Sequence, residues 1–595
     1  MTRGIIEDTK SVLPDGTSQA DDSVSVNLSF SHMSDSKGTK PADPEAKRQD
    51  SWFGQILSEL PDKGLSLRPL ESRKLMKGLE RHLRLPISLP TVDFPNLGPG
   101  STSEFYNQAP IWTYEPFRSV YTTMFIMYMG TLYLPFRAIS NLPPQNRPRP
   151  SWSWKKAMMI SLTRRCTLYM CKTHIMLAGK PAKRPPPPVN TSMYVKVDPD
   201  EVLQPVNDRE KGDIRGELAR AMEIQQTKIA TLCGYFYTAT GAPPTTTYRA
   251  EPHERLLLHF HGGAYWMGTA QESGLSAKFC SDLLARIQEK DGSIKRAFQM
   301  EFRLTRHDDP TFGYPAALLD ALVGYLYLIR VCGFEPKNIV MSGDSSGGNL
   351  ALALCRYLRD EGVADLPVAL LLLSPWCDIS RSHSGPVLSP NAFSTTVLNC
   401  KSDVIDASLL YRNTSVNPLL GRLPAEETYI NPYISPVSLQ LDPSYGSNPP
   451  HWGFAGFPKH VYISTGSAEL NYEQHLTLAY RMAEGSVRGV PLFAGNNLER
   501  HEDEPHQCVW RSDYPRAPAW VARHDTAVKE GTSVSSPLDQ RDVVLDDTKD
   551  GVHILPLFKW FEPERSQVLD RITSWICDIS KSSLPNAPVI SATNV

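Results

Sequence analysis

The sequence predicts an α/β fold with a mostly parallel sheet covered by helices, and two observations carry that expectation. Short apolar runs at residues 256–260, 339–342, 368–373 and 460–464 have the length and composition of buried strands. Helical patterns such as Ala316 to Val331 and Asn349 to Leu358 lie between them. Strands that alternate with helices in this way build parallel sheets with both faces covered.

The elements divide the 595 residues into regions of different character. Residues 1–100 open with a stretch rich in Ser, Asp, Lys and Gly, which predicts a largely disordered N-terminal region. Residues 101–249 read as a helical cap or membrane-associated region. Within it, Ser119 to Phe136 is uncharged and close to the shortest length that spans a bilayer, and Arg137, Arg147 and Arg149 follow. Its Thr, Tyr, Gly and Pro content suits a cap helix or an interfacial helix as well as a span, and all three readings stay open. Lys183-Arg184-Pro185-Pro186-Pro187-Pro188 predicts a stiff connector. The α/β domain is expected over 250–582, with a charged, Pro- and His-rich insertion at about 494–540 and a tail at 583–595. The insertion is expected to be a surface lid or disordered.

Composition narrows the function classes. A net charge of -2 gives no reason to expect a nucleic-acid partner. The ten Cys show no paired metal-type spacing, so free, buried thiols are expected and no metal or cofactor is implied. The first residues lack the apolar core of a signal peptide, and Cys usage does not fix the compartment. A cytoplasmic or membrane-associated location, the latter at the endoplasmic reticulum, is left open. Asn-x-Ser/Thr triplets at Asn27, Asn190 and Asn413 matter only in a secretory lumen.

Two motifs carry chemistry. Gly343-Asp344-Ser345-Ser346-Gly347 lies between apolar Ile339-Val340-Met341 and the helix-prone Asn349 to Leu354. A strand, a sharp turn and a helix are what a nucleophile elbow needs, with small residues flanking the Ser where the turn is crowded. About eighty residues upstream, His261-Gly262-Gly263 follows the strand-like Leu256 to Phe260. A glycine loop there lets a substrate carbonyl approach backbone N–H groups closely.

Gly343 to Leu350 and His261-Gly262-Gly263-Ala264-Tyr265 resemble the signatures of the hormone-sensitive-lipase-like branch of the α/β-hydrolases. Phe302-Arg303-Leu304-Thr305, Tyr314 to Asp320, and Ser374-Pro375-Trp376-Cys377-Asp378 are similar to further segments of that branch, over roughly residues 250–582. The N-terminal half looks most like fungal esterases and steryl acetyl hydrolases.

The resemblance implies a triad in the order Ser, acid, His, with Ser345 as nucleophile. The strand-like Val461 to Thr465 leads into Gly466-Ser467-Ala468-Glu469-Leu470, which resembles the segment carrying the acid. The family usually has Asp where this chain has Glu469, and Glu473 one turn later is the competing choice. Asp378 is a structural residue in the resembling family. Lys549-Asp550-Gly551-Val552-His553, after the strand-like Val543 to Asp546, resembles the turn bearing the base. His501, His506 and His524 fall in the insertion and are expected to be solvated. Gly262, Gly263 and Ser346 would supply oxyanion-hole N–H groups, with His261 and Asp344 bracing the loops.

The resemblance therefore implies a carboxylic ester hydrolase acting on a small-molecule ester, including lipid or sterol esters. An acyltransferase using the same residues and a non-catalytic ligand-binding protein remain the alternatives.

Overall fold

The side chains of Leu256 to Leu258 and Phe260, with Ile339 to Met341 and Ala369 to Leu373, are buried on both faces of their strands, as a central parallel sheet requires. The computed structural model describes residues 111–173, 192–204, 212–306, 309–380, 382–383, 394–410, 415–441, 453–484, 486–503 and 540–582. These residues all fall within one compact unit. Asn27, Asn190, Asn413, His506, His524, the connector at 183–188 and the tail lie outside the described residues.

The sheet has nine strands: β1 (Ser192–Val197), β2 (Leu232–Tyr237), β3 (Leu256–Phe260), β4 (Arg296–Glu301), β5 (Ile339–Asp344), β6 (Ala369–Leu373), β7 (His460–Gly466), β8 (Leu492–Gly495) and β9 (Asp542–Thr548). Their order is β1-β2-β4-β3-β5-β6-β7-β9-β8. β1 pairs β2, and β2 pairs β4, antiparallel; every other pairing is parallel. Each apolar run read as a strand is one. The sheet also reaches back to Ser192, so two of its strands precede the domain start read at residue 250.

Helix α1 (Phe117–Tyr128) continues through a π turn (Met129–Tyr133) into α2 (Leu134–Ser140). It packs on α3 (Trp154–Thr173): the Phe125 and Tyr169 rings stack at 4.5 Å, and Thr122 Oγ1 lies 2.7 Å from the Tyr169 hydroxyl. Among the described residues no helix is long and apolar enough to cross a membrane. The spanning reading of 119–136 is therefore set aside. The Arg residues at 118 and 137 bracket the run, and its Thr, Tyr and Gly dilute it.

Around the sheet lie α4 (Leu275–Lys290), α5 (Ala316–Leu326), α6 (Ser346–Glu361), α7 (Tyr472–Ala483), α8 (Leu498–Asp503) and α9 (Glu564–Ser582). The first residues of the insertion expected at 494–540 belong to a strand and a helix. Leu492–Gly495 forms the edge strand beside β9, and α8 follows it. His501 is buried there: its ring stacks on Phe493 at 4.3 Å and its Nε2 lies 2.9 Å from Asp547 Oδ2. Expecting a solvated His501 was wrong, because a carboxylate at the end of β9 gives the imidazole a buried partner. Residues 504–539 lie outside the described residues.

Candidate active site

Seven parallel strands, β4, β3, β5, β6, β7, β9 and β8, point their C-terminal ends at one rim, and open α/β sheets bind ligands at that rim. β5 ends at Asp344, Ser345 makes the turn, and α6 starts at Ser346. Ser345 sits at φ 52°, ψ -118°, a region an L side chain rarely adopts. The strain is held by neighbours: Ser345 N–H donates to Leu373 O at 2.9 Å, and its carbonyl accepts from Trp376 N–H at 2.9 Å. A Cβ on Gly343 would meet Gly347 O at 2.2 Å, and one on Gly347 would meet Phe260 O at 2.0 Å. The two glycines let the helix close on the strand; larger residues would collide with backbone.

β7 and β9 supply the partners. Glu469 follows β7, His553 follows β9, and the seven-residue pairing of these strands brings the two loops together. His553 Nδ1–H donates to Glu469 Oε2 at 3.1 Å, while His553 Nε2 lies 2.9 Å from Ser345 Oγ. The structure thus brings Ser345, His553 and Glu469 into one hydrogen-bonded chain. Glu473, the rival acid, lies on α7 with its backbone N–H 3.5 Å from Thr395 Oγ1, whereas the carboxylate on His553 Nδ1 is that of Glu469.

Glu469 is fully buried and both of its oxygens accept hydrogen bonds. Its Oε1 accepts from Ser374 Oγ–H at 2.8 Å and from Gly466 N–H at 2.6 Å. Ser374 Oγ in turn accepts from Ile554 N–H at 2.9 Å, which ties the acid to the residue after the base. Burial opposes a charged His553, but the Glu469 hydrogen bond and charge, with Asp403 behind them, outweigh it and raise the His553 pKa. Nearby His475 is different. Burial pushes it down to about 3, and it is bonded to Thr465 Oγ1 and Pro375 O instead.

The residue that sequence reasoning missed is Asp403. It is buried, and its Oδ1 accepts from His553 N–H at 3.0 Å and from Val404 N–H at 2.7 Å. Oδ2 accepts from Leu470 N–H at 2.8 Å. One carboxylate therefore clamps both the acid loop and the base loop. Burial, partly offset by His553 and reinforced by Glu469, pushes its pKa up to about 6. Asp403 follows no strand end and no motif, so nothing in the sequence marks it.

The glycine loop differs from expectation by one residue. Gly262 N–H is already used, donating to Asp344 Oδ2 at 3.0 Å. A Cβ there would meet the same oxygen at 2.3 Å, so Gly262 is small to let the loop sit on Asp344. The Gly263, Ala264 and Ser346 N–H groups have no bond of this kind among the described residues. Gly263, Ala264 and Tyr265 all have positive φ (122°, 51° and 65°), so the loop turns its backbone outward over three consecutive residues. Asp344 braces this arrangement, accepting also from His259 Nε2–H at 2.9 Å and Ser276 Oγ–H at 2.7 Å. His261 Nδ1–H donates to Gly262 O, its ring stacks on Phe302 at 4.3 Å, and burial drives its pKa down to about 4. His261 is a neutral brace.

Asp378 is likewise structural, accepting from His383 Nδ1–H at 2.6 Å and from Ser382 Oγ–H at 2.8 Å. Among the described residues no group of His, Cys, Asp or Glu is placed to hold a metal ion.

Comparison with known proteins fits this geometry. A family profile for the alpha/beta hydrolase fold matches residues 257–488, which spans the glycine loop, the elbow and Glu469. By this match residues 257–488 belong to a domain of the alpha/beta hydrolase fold. Relatives of this hydrolase domain include esterase LipU of Mycobacterium tuberculosis, 33% identical over 134 residues (22% of this chain and 40% of that protein). An acetyl-hydrolase of Streptomyces hygroscopicus is 33% identical over 126 residues, 21% of this chain and 37% of that one. Steryl acetyl hydrolase 1 of Saccharomyces cerevisiae is 27% identical over 165 residues, 27% of this chain and 35% of the yeast protein. The chain thus spans about two fifths of the length of the curated relatives it matches.

Proposed function

We propose that the protein hydrolyses carboxylic esters through an acyl-enzyme on Ser345. The observation that carries this reading is the chain from Ser345 Oγ to His553 Nε2 at 2.9 Å and from His553 Nδ1 to Glu469 Oε2 at 3.1 Å. Ser345 Oγ attacks the ester carbonyl carbon as its proton passes to His553 Nε2, and Glu469 stabilises the imidazolium. The N–H groups of Gly263, Ala264 and Ser346 bind the oxyanion that forms. His553 then gives the proton to the departing alkoxide as the C–O bond breaks, which leaves the acyl group on Ser345. Water loses a proton to His553, attacks the acyl carbon and frees the acid, restoring the hydroxyl.

The substrate class we favour is a short acyl ester of an apolar alcohol. Relatives named for acetyl hydrolysis, one of them for steryl acetates, support it. A series of p-nitrophenyl esters from acetate to palmitate, with cholesteryl acetate alongside, tests both parts. The expected result is fast turnover of acetate, slow turnover of long chains, and release of free sterol. No hydrolysis of any ester would overturn the activity. A preference for long acyl chains would overturn the substrate class, and capture of the acyl group by an added alcohol in preference to water would make the protein a transferase.

A further inference from the structure

The helix pair α1–α2 presents an uncharged outer face that no described residue covers. Met124, Ile126, Leu132 and Ile139 are 64%, 64%, 62% and 70% exposed, and Val120, Met127, Phe136 and Leu142 are exposed with them. Monomeric soluble proteins rarely leave so continuous a row of large apolar side chains in water, because each costs free energy in proportion to its wetted area. The opposite face does the packing work: Tyr121, Phe125 and Met129 turn toward α3 or are buried. The π turn adds a residue between the two helices without breaking the rod, so apolar residues lie outward on both sides of it.

Charge identifies the occupant. No Asp or Glu occurs between Glu115 and Asp198, while that stretch holds 13 Lys and Arg. The whole chain has 62 basic and 64 acidic residues, so the stretch stands out as cationic within a nearly neutral protein. Exposed Lys155 and the Arg165 guanidinium, 4.8 Å over the Tyr133 ring, lie on α3, against which this pair packs. Trp154 is also exposed at its edge, with its indole N–H donating to Ala138 O at 2.8 Å. Arg118, Arg149, Lys156 and Arg164 pair with acids of this chain, and the remaining cations leave the stretch with an excess of positive charge. Apolar side chains facing outward, an interfacial Trp and an excess of cations are the features of a helix that lies in the headgroup layer.

We propose that α1 and α2 lie along the surface of an anionic phospholipid membrane, with Met124, Ile126, Leu132 and Ile139 inserted between headgroups. The docking element is coupled to the candidate site. After α2, Ser151 Oγ–H donates to Asp550 Oδ2 at 2.5 Å and Trp152 Nε1–H donates to Asp550 O at 2.9 Å, three residues before His553. A membrane-bound arm would therefore hold the candidate site at the lipid surface, where apolar esters partition. The membrane proposal itself does not depend on the esterase reading.

Co-sedimentation of the full chain with vesicles tests it without any activity readout. One set is phosphatidylcholine alone, and the other contains about one third phosphatidylserine. The expected result is binding to the anionic set that weakens as salt rises, and at least about tenfold weaker binding by Met124→Glu/Leu132→Glu. Hydrolysis of a water-soluble ester by that variant should match wild type, which separates lost docking from lost folding; for a chain without activity, thermal unfolding serves instead. No binding to either set would overturn the proposal, as would equal binding by the variant. If the double substitution instead dissolves a dimer seen by ultracentrifugation and leaves vesicle binding unchanged, the face joins two copies and the proposal fails.

Discussion

In the proposed triad Glu469 stands where the resembling hydrolases usually have Asp, and its surroundings fix the longer side chain. Oε2 meets His553 while Oε1 is fixed by Ser374 and Gly466 N–H, so the carboxylate has one orientation. Glu469→Gln removes the charge that raises the His553 pKa and should cost about 10²–10⁴ in kcat. Its pH profile is the sharper readout. Only neutral His553 can take the Ser345 proton, so activity falls as pH drops through the raised pKa of wild type. Removing Glu469 lowers that pKa, and the acid limb of kcat/KM should move to lower pH in the variant. An unmoved limb would mean that another group titrates. Asp403→Ala should behave differently, since it leaves the Leu470 and His553 N–H groups buried without an acceptor. A loss of about 1–3 kcal/mol in urea unfolding is expected, with lower activity following from a displaced His553. Ser345, Glu469 and His553 were legible because a motif or a strand end announces each of them. Asp403 was not, because its role arises from two loops that meet only after the sheet has formed.

At the scale of elements, the strands were readable because a buried parallel strand is almost uniformly apolar, as Ala369 to Leu373 is. β8 was hidden for the opposite reason: an edge strand of four half-exposed residues has no such signature. The glycine loop was legible as a loop, but its register was not, since only the structure reveals that Asp344 occupies the Gly262 N–H. This loop is also held from below. Glu301, at the end of β4, accepts from Thr269 Oγ–H and Ala270 N–H, each at 2.9 Å. Burial, only partly offset by those two bonds, pushes its pKa up to about 7. The folded state therefore holds a proton that the unfolded state has released. Stability from this group is complete below the unfolded value of 4.5 and is lost as pH rises through about 7. Glu301→Gln should flatten that dependence, removing a decline of about 2–3 kcal/mol in thermal or urea unfolding across the window. A variant as pH-sensitive as wild type would assign the decline elsewhere.

At the scale of the molecule, α1 to α3 and the sheet belong to one compact unit among the described residues. Trp152 is buried against Phe561, ring centroids 6.3 Å apart, and its indole reaches the carbonyl of Asp550 in the base loop. The extent of this union was not legible, because the contacts cross about four hundred residues of sequence. The hydrogen bonds that join Ser345, His553 and Glu469 are made by described residues and not by residues 504–539. Replacement of 504–539 by a short Gly-Ser linker should keep ester hydrolysis within a few-fold of wild type, whereas cutting back to 494 would remove β8 and the buried His501. The claim on which the rest depends is that His553 and Glu469 activate Ser345. A fluorophosphonate probe, followed by peptide mass spectrometry, measures this most directly. The account predicts one adduct, on Ser345, absent in Ser345→Ala and formed at least about a hundredfold more slowly in His553→Ala. An unlabelled wild-type protein, or labelling of His553→Ala at the wild-type rate, would contradict it.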